Sequence, residues 1–270
     1  MAVITISRGS YSHGKEVAEK VAQRLGYECV SREIILEASE HFDVPEFKLL
    51  KAIQDAPSFL DRITYGRQKY IAYIRATLLN HLKKDNVVYH GFAGHYFVRD
   101  VPHALKVRII ADFEDRVRLV MERDGLSRDE AVEFLNKLDA ERRKWGQRLY
   151  GIDTNDPGLY DLVIHIKALT IDDAVDLICD AAGRDQFRAT EQSRQKMEDL
   201  ALAAEVKASI VEIRPDAEVE AESGVVTVSV RLPVEVDESQ LIDRIRKACD
   251  RIPGVKDLSV KTVPTTLYQM

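Results

Sequence analysis

Residues 4–18 decide the fold, and they read Ile-Thr-Ile-Ser-Arg-Gly-Ser-Tyr-Ser-His-Gly-Lys-Glu-Val-Ala. This order predicts a short apolar strand, a turn bounded by glycines, and the start of a helix. Gly9, Gly14 and Lys15 have the spacing G-x-x-x-x-G-K of a phosphate-binding loop, here called the P-loop (residues 9–15). In such a loop, backbone N–H groups of the turn and of the helix start bind an anion, and the lysine adds positive charge. The sequence therefore predicts a phosphate site directly after the first strand.

Glu16 departs from the usual pattern, because a serine or threonine that holds magnesium normally follows the lysine. A carboxylate is favoured at a helix N-terminus, so Glu16 is either a surface cap or a magnesium ligand through water. We expect Gly9 and Gly14 to permit close backbone approach and positive φ angles. The predicted nucleotide-binding set is Gly9, Ser10, Ser12, His13, Gly14, Lys15 and Glu16. The Ser12 hydroxyl is a candidate replacement for the missing metal ligand, and the metal ligands stay unassigned.

Composition limits the class of protein. The 270 residues carry a formal net charge of −6, which argues against general nucleic-acid binding. No segment has the pattern of a signal peptide, and no apolar run reaches the roughly 20 residues that a transmembrane helix needs. The three cysteines are sparse and far apart, as is usual in a reducing compartment. We therefore expect a cytoplasmic protein without a transmembrane segment.

Strands and helices alternate up to about residue 183. Predicted strands at residues 2–6, 27–30, 87–89, 105–111 and 162–166 are each followed by a helical segment. This order predicts an α/β fold with a mostly parallel, doubly wound sheet, whose ligands bind beyond the carboxyl ends of the strands. Residues 184–196 are polar and are predicted to be a linker, which either stays separate from the following helix or extends it. Residues 197–270 show an α-β-β-α-β order that predicts a small α+β domain.

Several segments resemble the start of the cytidylate kinase-like family of P-loop kinases. They are Ile6-Ser7-Arg8, Gly14-Lys15-Glu16-Val17-Ala18, Leu25-Gly26 and Arg32-Glu33-Ile34-Ile35. The resemblance covers roughly residues 1–183 and implies transfer of the terminal phosphate of ATP to a nucleoside monophosphate, with Mg²⁺. Residues 199–263 are similar to a BON domain through their glycine-containing segments 224–228 and 252–255. BON domains elsewhere are linked to membranes or to small-ligand sensing.

The resemblance also suggests site residues outside the P-loop. Asp139-Ala140-Glu141-Arg142-Arg143 is similar to the D-x-x-R lid segment of the family, so Arg142 and Arg143 are candidate catalytic residues together with Lys15. An exposed helix with i,i+3 and i,i+4 ion pairs would show the same charge pattern. Arg8, Arg32 and Phe92 are candidate acceptor contacts.

Two of these positions depart from the family pattern. Ser31 stands where the family has an aspartate, and Phe92 stands where an arginine is usual. Phe92 would therefore either stack on a base or pack in the core.

Three functions remain open at the level of sequence. The leading one is an ATP-dependent kinase for a CMP-like nucleotide or another small acceptor. The second is a nucleotide-binding regulator with weak or no turnover, which senses a ligand through its C-terminal domain. The third is an interaction protein with a vestigial loop. Acceptor identity, homo-oligomer formation and the C-terminal ligand or protein partner stay open.

Overall fold

The computed structural model describes residues 2–31, 33–54, 68–91, 93–232 and 238–264. Its larger sheet has five parallel strands in the order β2-β3-β1-β4-β5. The strands are β1 (Val3–Arg8), β2 (Glu28–Val30), β3 (Val87–His90), β4 (Ala104–Ala111) and β5 (Leu162–Ile166). The predicted α/β fold with a doubly wound parallel sheet is therefore confirmed.

Nine helices of four residues or more are described between residues 14 and 210. They are α1 (Gly14–Leu25), α2 (Glu33–His41), α3 (Glu46–Gln54), α4 (Gln68–Leu82), α5 (Gly94–Phe97), α6 (Phe113–Asp124), α7 (Arg128–Tyr150), α8 (Ile171–Ala182) and α9 (Glu191–Ile210). Short 3₁₀ turns lie at Pro157–Leu159 and Asp185–Phe187.

The central strand β1 brings the P-loop to the middle of the carboxyl edge. Val3 pairs with Val87 of β3 on one side and with Ala104 of β4 on the other. Ile4 and Ile6 of β1 pack into one core with α1 and α8, whereas Val3 faces a second core with α2, α3, α4 and α5. A strand buried on both faces needs apolar residues at successive positions, which explains why apolar residues stand at positions 2–4 and 6.

Helices α6 and α7 form a separate hairpin after β4. The N-cap of α7 is Ser127, which forms a capping box with Glu130, as the sequence predicts. Val117 and Val120 of α6 pack against Ala131 and Leu135 of α7. This hairpin places the predicted lid segment beside the P-loop.

Helix α9 includes the end of the predicted linker. It begins at Glu191 with Thr190 as N-cap, so residues 191–196 extend the helix that follows the polar segment. Met197 and Ala201 pack into the same core as α4, while Val206 and Ile210 pack into the core of the second sheet. The polar composition of residues 184–196 conceals the helix because much of its first turns is exposed, although Ser193 is buried.

The second sheet has the order β6-β7-β8, with β6 (Glu218–Glu222), β7 (Val225–Leu232) and β8 (Asp257–Pro264). The β6–β7 hairpin turns through Ser223 and Gly224, which have φ angles of 52° and 91°. Positive φ at both turn positions matches the twist of an antiparallel pair. Helix α10 (Glu238–Cys249) then precedes β8, which pairs in parallel with β7. The described residues thus follow the predicted α-β-β-α-β order.

Candidate functional site

The P-loop is anchored to the sheet by its first residues. The Gly9 N–H donates to the Ile109 carbonyl at 3.0 Å. Ser12 is buried, and its hydroxyl lies 2.8 Å from the Gly9 carbonyl and 3.1 Å from the Ile109 carbonyl. The Ser12 hydroxyl proton is therefore used inside the loop. Ser10 is also buried, and its Oγ has no hydrogen-bond partner among the residues that the structure describes.

The left-handed backbone of the P-loop does not fall on its glycines. The positive φ values belong to Tyr11 (55°) and His13 (61°), so their prediction at Gly9 and Gly14 is wrong. A Cβ added at Gly14 would lie 2.6 Å from Arg8 Cβ, so this glycine is required for close approach. Tyr11 is held in its strained backbone by a hydrogen bond to Asp124, at 2.8 Å.

Lys15 and Glu16 are both exposed in the first turn of α1. Lys15 Nζ lies 3.6 Å from the carboxylate of Glu19. Glu16 lies 3.4 Å from Lys20 Nζ and 4.0 Å from His13 Nδ1. Exposed ion pairs such as these contribute at most about 1 kcal/mol, so little free energy opposes a turn of Lys15 toward a phosphate.

A cavity of about 850 Å³ opens beside the P-loop. Its apolar wall comes from α2, α3 and α4 through Ile34, Ile35, Leu50 and Ile74. Four of the predicted site residues line it, namely Arg8, Gly9, Arg142 and Arg143. Residues 10–16 are not part of its wall, so the predicted donor site adjoins the cavity at Gly9. Arg32 and Phe92 lie outside the described residues.

Guanidinium groups gather at the end of β1. Arg142 Nη1 donates to the Arg8 carbonyl at 2.8 Å, and Arg116 Nε donates to the Ser10 carbonyl at 2.6 Å. Burial, together with the neighbouring cation Arg8, lowers the pKa of Arg142 to about 10. Burial also lowers the pKa of Arg8 from its ordinary value, and the cation Arg123 contributes. Charges of one sign held this close favour an anionic ligand.

Arg108 extends this cationic wall along β4. Its Nη2 donates to Asn155 Oδ1 at 2.6 Å, and its Nη1 donates to Tyr160 Oη at 3.2 Å. Arg143 lies at the exposed side, with Nε 3.9 Å from Asp153 Oδ1. The cavity therefore carries cations from the ends of β1 and β4, from α6 and from α7.

Helix α7 is docked over the cavity. Its buried Trp145 donates from Nε1 to the Ala52 carbonyl of α3 at 3.1 Å. The exposed-helix interpretation of residues 139–143 does not hold for Arg142, which is half-buried and donates to the Arg8 carbonyl, although it suits the exposed Arg143. Helix α7 thus forms the wall that faces α3.

Sequence reasoning misses Arg108, Arg116 and Trp145. None of them belongs to a motif with a fixed spacing, and each acquires its place only when the strands and the α6–α7 hairpin come together. The one signal that could have pointed to Arg116 is its place in the helix that follows β4, the strand beside β1.

Two buried histidines lie near the site. His90 ends β3, and His95 lies on α5 with Nε2 3.4 Å from Tyr160 Oη. Burial lowers the pKa of each to about 4, helped by Arg8 at His90 and by Arg108 at His95. Both are therefore neutral at pH 7. Within the described residues, no group of three His, Cys, Asp or Glu side chains could hold a metal ion.

No helix in the described part of the chain is long and apolar enough to cross a membrane.

Comparisons with known proteins cover the part of the chain that contains this site. Residues 3–168 match the family model described as "Cytidylate kinase-like family". The chain is 28% identical over 185 residues to a cytidylate kinase of Pyrobaculum aerophilum, which covers 67% of this chain and 92% of the relative. It is 30% identical over 183 residues to a cytidylate kinase of Archaeoglobus fulgidus, covering 66% and 93%.

A solved structure of an uncharacterized protein from Eubacterium ventriosum superposes with a TM-score of 0.53 at 21% identity. It covers 68% of this chain and 100% of that chain. At this identity the likeness concerns the fold alone.

Proposed function

The chain belongs to the cytidylate kinase-like family, and on this premise we propose that it transfers the terminal phosphoryl group of ATP to a nucleoside monophosphate resembling CMP. One observation carries the proposal. The guanidinium groups of Arg8, Arg116 and Arg142 line one cavity, which adjoins the P-loop at Gly9. The named relatives are cytidylate kinases, which favours this reaction over a regulator without turnover.

The donor would bind at the P-loop. Backbone N–H groups of residues 10–14 would contact the phosphates of ATP, with Ser10, His13 and the first turn of α1 alongside. Lys15 would turn from Glu19 to the outer phosphates. The orphaned Oγ of buried Ser10 supports a polar ligand on this loop.

Mg²⁺ fits this site as an ion carried mainly by the nucleotide. Magnesium usually keeps several waters and takes one or two carboxylates besides phosphate oxygens. Glu16 is an exposed carboxylate in the first turn of α1 and would hold the ion through water, while Ser12 is buried inside the loop. When bound, the ion would neutralise charge on the transferred phosphoryl group.

The acceptor would occupy the cavity between α2, α4 and α7. Ile34, Ile35 and Ile74 offer apolar surface for a base or sugar. Arg142 and Arg143 would neutralise the charge that develops as the phosphoryl group passes between donor and acceptor. Arg8, Arg32 and Phe92 remain proposed acceptor contacts.

Helix α7 would limit the access of water to the cavity from one side. The Trp145–Ala52 hydrogen bond joins α7 to α3 there. Fewer waters around the phosphates would strengthen electrostatic interactions and hinder hydrolysis of ATP. The protein then needs to supply only position and positive charge, since phosphoryl transfer requires little covalent chemistry from it.

The direct test is ADP formation from ATP and Mg²⁺ with CMP, dCMP, UMP, AMP or GMP as acceptor. We expect ADP with a cytidine nucleotide, and we expect Lys15→Ala to abolish it. Lys20→Ala is the matched control, because Lys20 is an exposed lysine on the same helix that pairs with Asp172 and Glu16. ATP binding without ADP formation with any acceptor would refute the kinase and leave the regulator.

The C-terminal region carries a separate proposal. We propose that residues 197–270 form a BON-like module joined to a kinase domain of residues 1–183, supported by the α-β-β-α-β order. Helix α9 connects the two cores, since Met197 packs beside α4 and Ile210 packs under the second sheet. A cytoplasmic location remains a prediction.

A further inference from the structure

One guanidinium joins the P-loop to α7. Arg116 lies on α6, and its Nε donates to the Ser10 carbonyl at 2.6 Å. Its Nη2 donates to both oxygens of Asp139 on α7, at 2.9 Å and 2.7 Å. The side chain is 11% exposed and lies over the ring of Phe113 at 5.8 Å. Arg116 therefore connects the consecutive helices α6 and α7 to the P-loop, which is distant from them in sequence.

The connection ends next to the predicted catalytic arginine. Asp139 precedes Arg142 by three residues, which places both on the same side of α7. Arg142 itself donates to the Arg8 carbonyl at 2.8 Å. Helix α7 is thus attached at two points to the backbone around Gly9, once through Asp139 and Arg116 and once through Arg142.

The ion pair between Arg116 and Asp139, here called the bridge, lies among several positive charges. Arg8, Arg116 and Arg142 would repel one another at the end of β1 in the absence of a carboxylate. Asp139 is the carboxylate that Arg116 holds in place, and it favours the charged form of Arg142. Arg116 consequently orients the group that lets Arg142 stay close to the P-loop.

We propose that Arg116 is a positioning residue, which fixes α7 and Arg142 against the P-loop for phosphoryl transfer. The inference rests on the proposed kinase function and adds a residue to it. ATP would still be held by the P-loop backbone and Lys15. Loss of the bridge would therefore lower kcat far more than it weakens ATP binding.

The test compares Arg116→Lys with Arg118→Lys. Lysine keeps the charge at position 116 but cannot form the same set of hydrogen bonds. Arg118 lies on the same helix, is exposed, and pairs with Asp115. We expect Arg116→Lys to lower kcat roughly tenfold or more, the effect of losing one good charged hydrogen bond, with the Kd for ATP within about threefold. Arg118→Lys should leave both values unchanged.

Trp145 supplies a readout that does not need turnover. It is the single tryptophan of the sequence and follows Arg142 by three residues. ATP binding is measured independently by displacement of a fluorescent nucleotide analogue. We expect ATP to change Trp145 emission in the unmodified protein and in Arg118→Lys, and to bind Arg116→Lys without that change.

A double-mutant cycle with Asp139→Asn separates the bridge from general damage. Both variants remove the same ion pair, so the kcat of the double variant should be close to that of the less active single variant. If Arg116→Lys does not fold, Asp139→Asn carries the comparison of kcat, Kd and emission.

Three results would overturn the positioning role. They are an Arg116→Lys variant that keeps the kcat and the ATP-induced emission change of the unmodified protein, additive losses in the double variant, or an ATP affinity that falls in parallel with kcat. The last would mean that Arg116 binds the phosphates itself. If the unmodified protein binds ATP but forms no ADP, the kinase proposal fails, and the emission experiment alone then decides for or against the bridge.

Discussion

Gly14→Ala should destabilise the protein by about 1–2 kcal/mol, whereas Gly9→Ala should not. The new Cβ at position 14 would lie 2.6 Å from Arg8 Cβ and 3.0 Å from Arg8 Cδ. Overpacking of this kind costs about 1–3 kcal/mol, and the gain in helix propensity returns at most about 1 kcal/mol. At position 9 the nearest atoms are 3.6 Å away in Ser12, which is ordinary contact. There the reduced entropy of the unfolded chain makes alanine neutral or slightly stabilising.

Chemical or thermal unfolding of the two variants measures this difference. A gap of about 2 kcal/mol corresponds to roughly 4–8 °C in Tm for a chain of this size. Equal stability of the two variants, or a larger loss at position 9, would refute the claim that Gly14 is needed for the packing of Arg8. ATP affinity is measured alongside, since displaced Arg8 would also disturb the backbone carbonyl that Arg142 binds.

Further predictions concern the dependence of stability on pH, the packing of α9 against α4, and the contact of α7 with α3. Because the pKa of His90 and His95 is about 4 in the folded chain, against about 6.5 unfolded, the unfolded chain binds more protons between these values. The two histidines therefore do not lower the free energy of unfolding above about pH 6.5. Between about pH 6.5 and pH 4, each histidine lowers it by about 1.4 kcal/mol for every unit that the pH falls. His95→Gln should flatten the curve of unfolding free energy against pH. Met197→Ala should cost about 2–5 kcal/mol by unfolding in denaturant, as for a fully buried core residue, and a loss below 1 kcal/mol would contradict the shared core of α9 and α4. Trp145→Phe should cost about 1–3 kcal/mol, because it leaves the buried Ala52 carbonyl without its donor, and an unchanged Tm would argue against a docked α7.

The sequence predicts the sheet well because local and global signals agree there. The apolar run of β1, the glycine-rich turn and the periodicity of α1 all favour one strand-loop-helix unit. The capping box at Ser127 likewise predicts the start of α7 at its true position. Such signals are short in range and depend on backbone geometry alone.

The parts that sequence reasoning misses depend on contacts between distant segments. Arg116 contacts Ser10 across 106 positions, and no spacing in the sequence encodes that pair. The start of α9 is concealed because its first turns are polar, although Ser193 and Met197 are buried against other elements. The prediction assigns the positive φ angles of the P-loop to its glycines, whereas Tyr11 has one of them. Tyr11 contacts Asp124 and Phe134, and these distant contacts override the local preference for glycine.

Three residues, Glu16, Ser31 and Phe92, differ from the usual pattern of a kinase of this family. Glu16 lies on the surface beside Lys20, so it does not replace the missing hydroxyl by direct burial in the loop. The family match and the cationic cavity support a nucleotide kinase nonetheless. The proposed CMP-like acceptor then depends on the cavity and on Arg32 and Phe92.

A crystal structure with a non-hydrolysable ATP analogue, Mg²⁺ and CMP would locate both proposed substrates. We expect the triphosphate on residues 9–15 with Lys15 turned onto it. We expect the CMP phosphate in the adjoining cavity, facing Arg142 and Arg143. A nucleotide bound elsewhere, such as beside the C-terminal sheet, or an empty cavity at saturating CMP, would contradict these expectations.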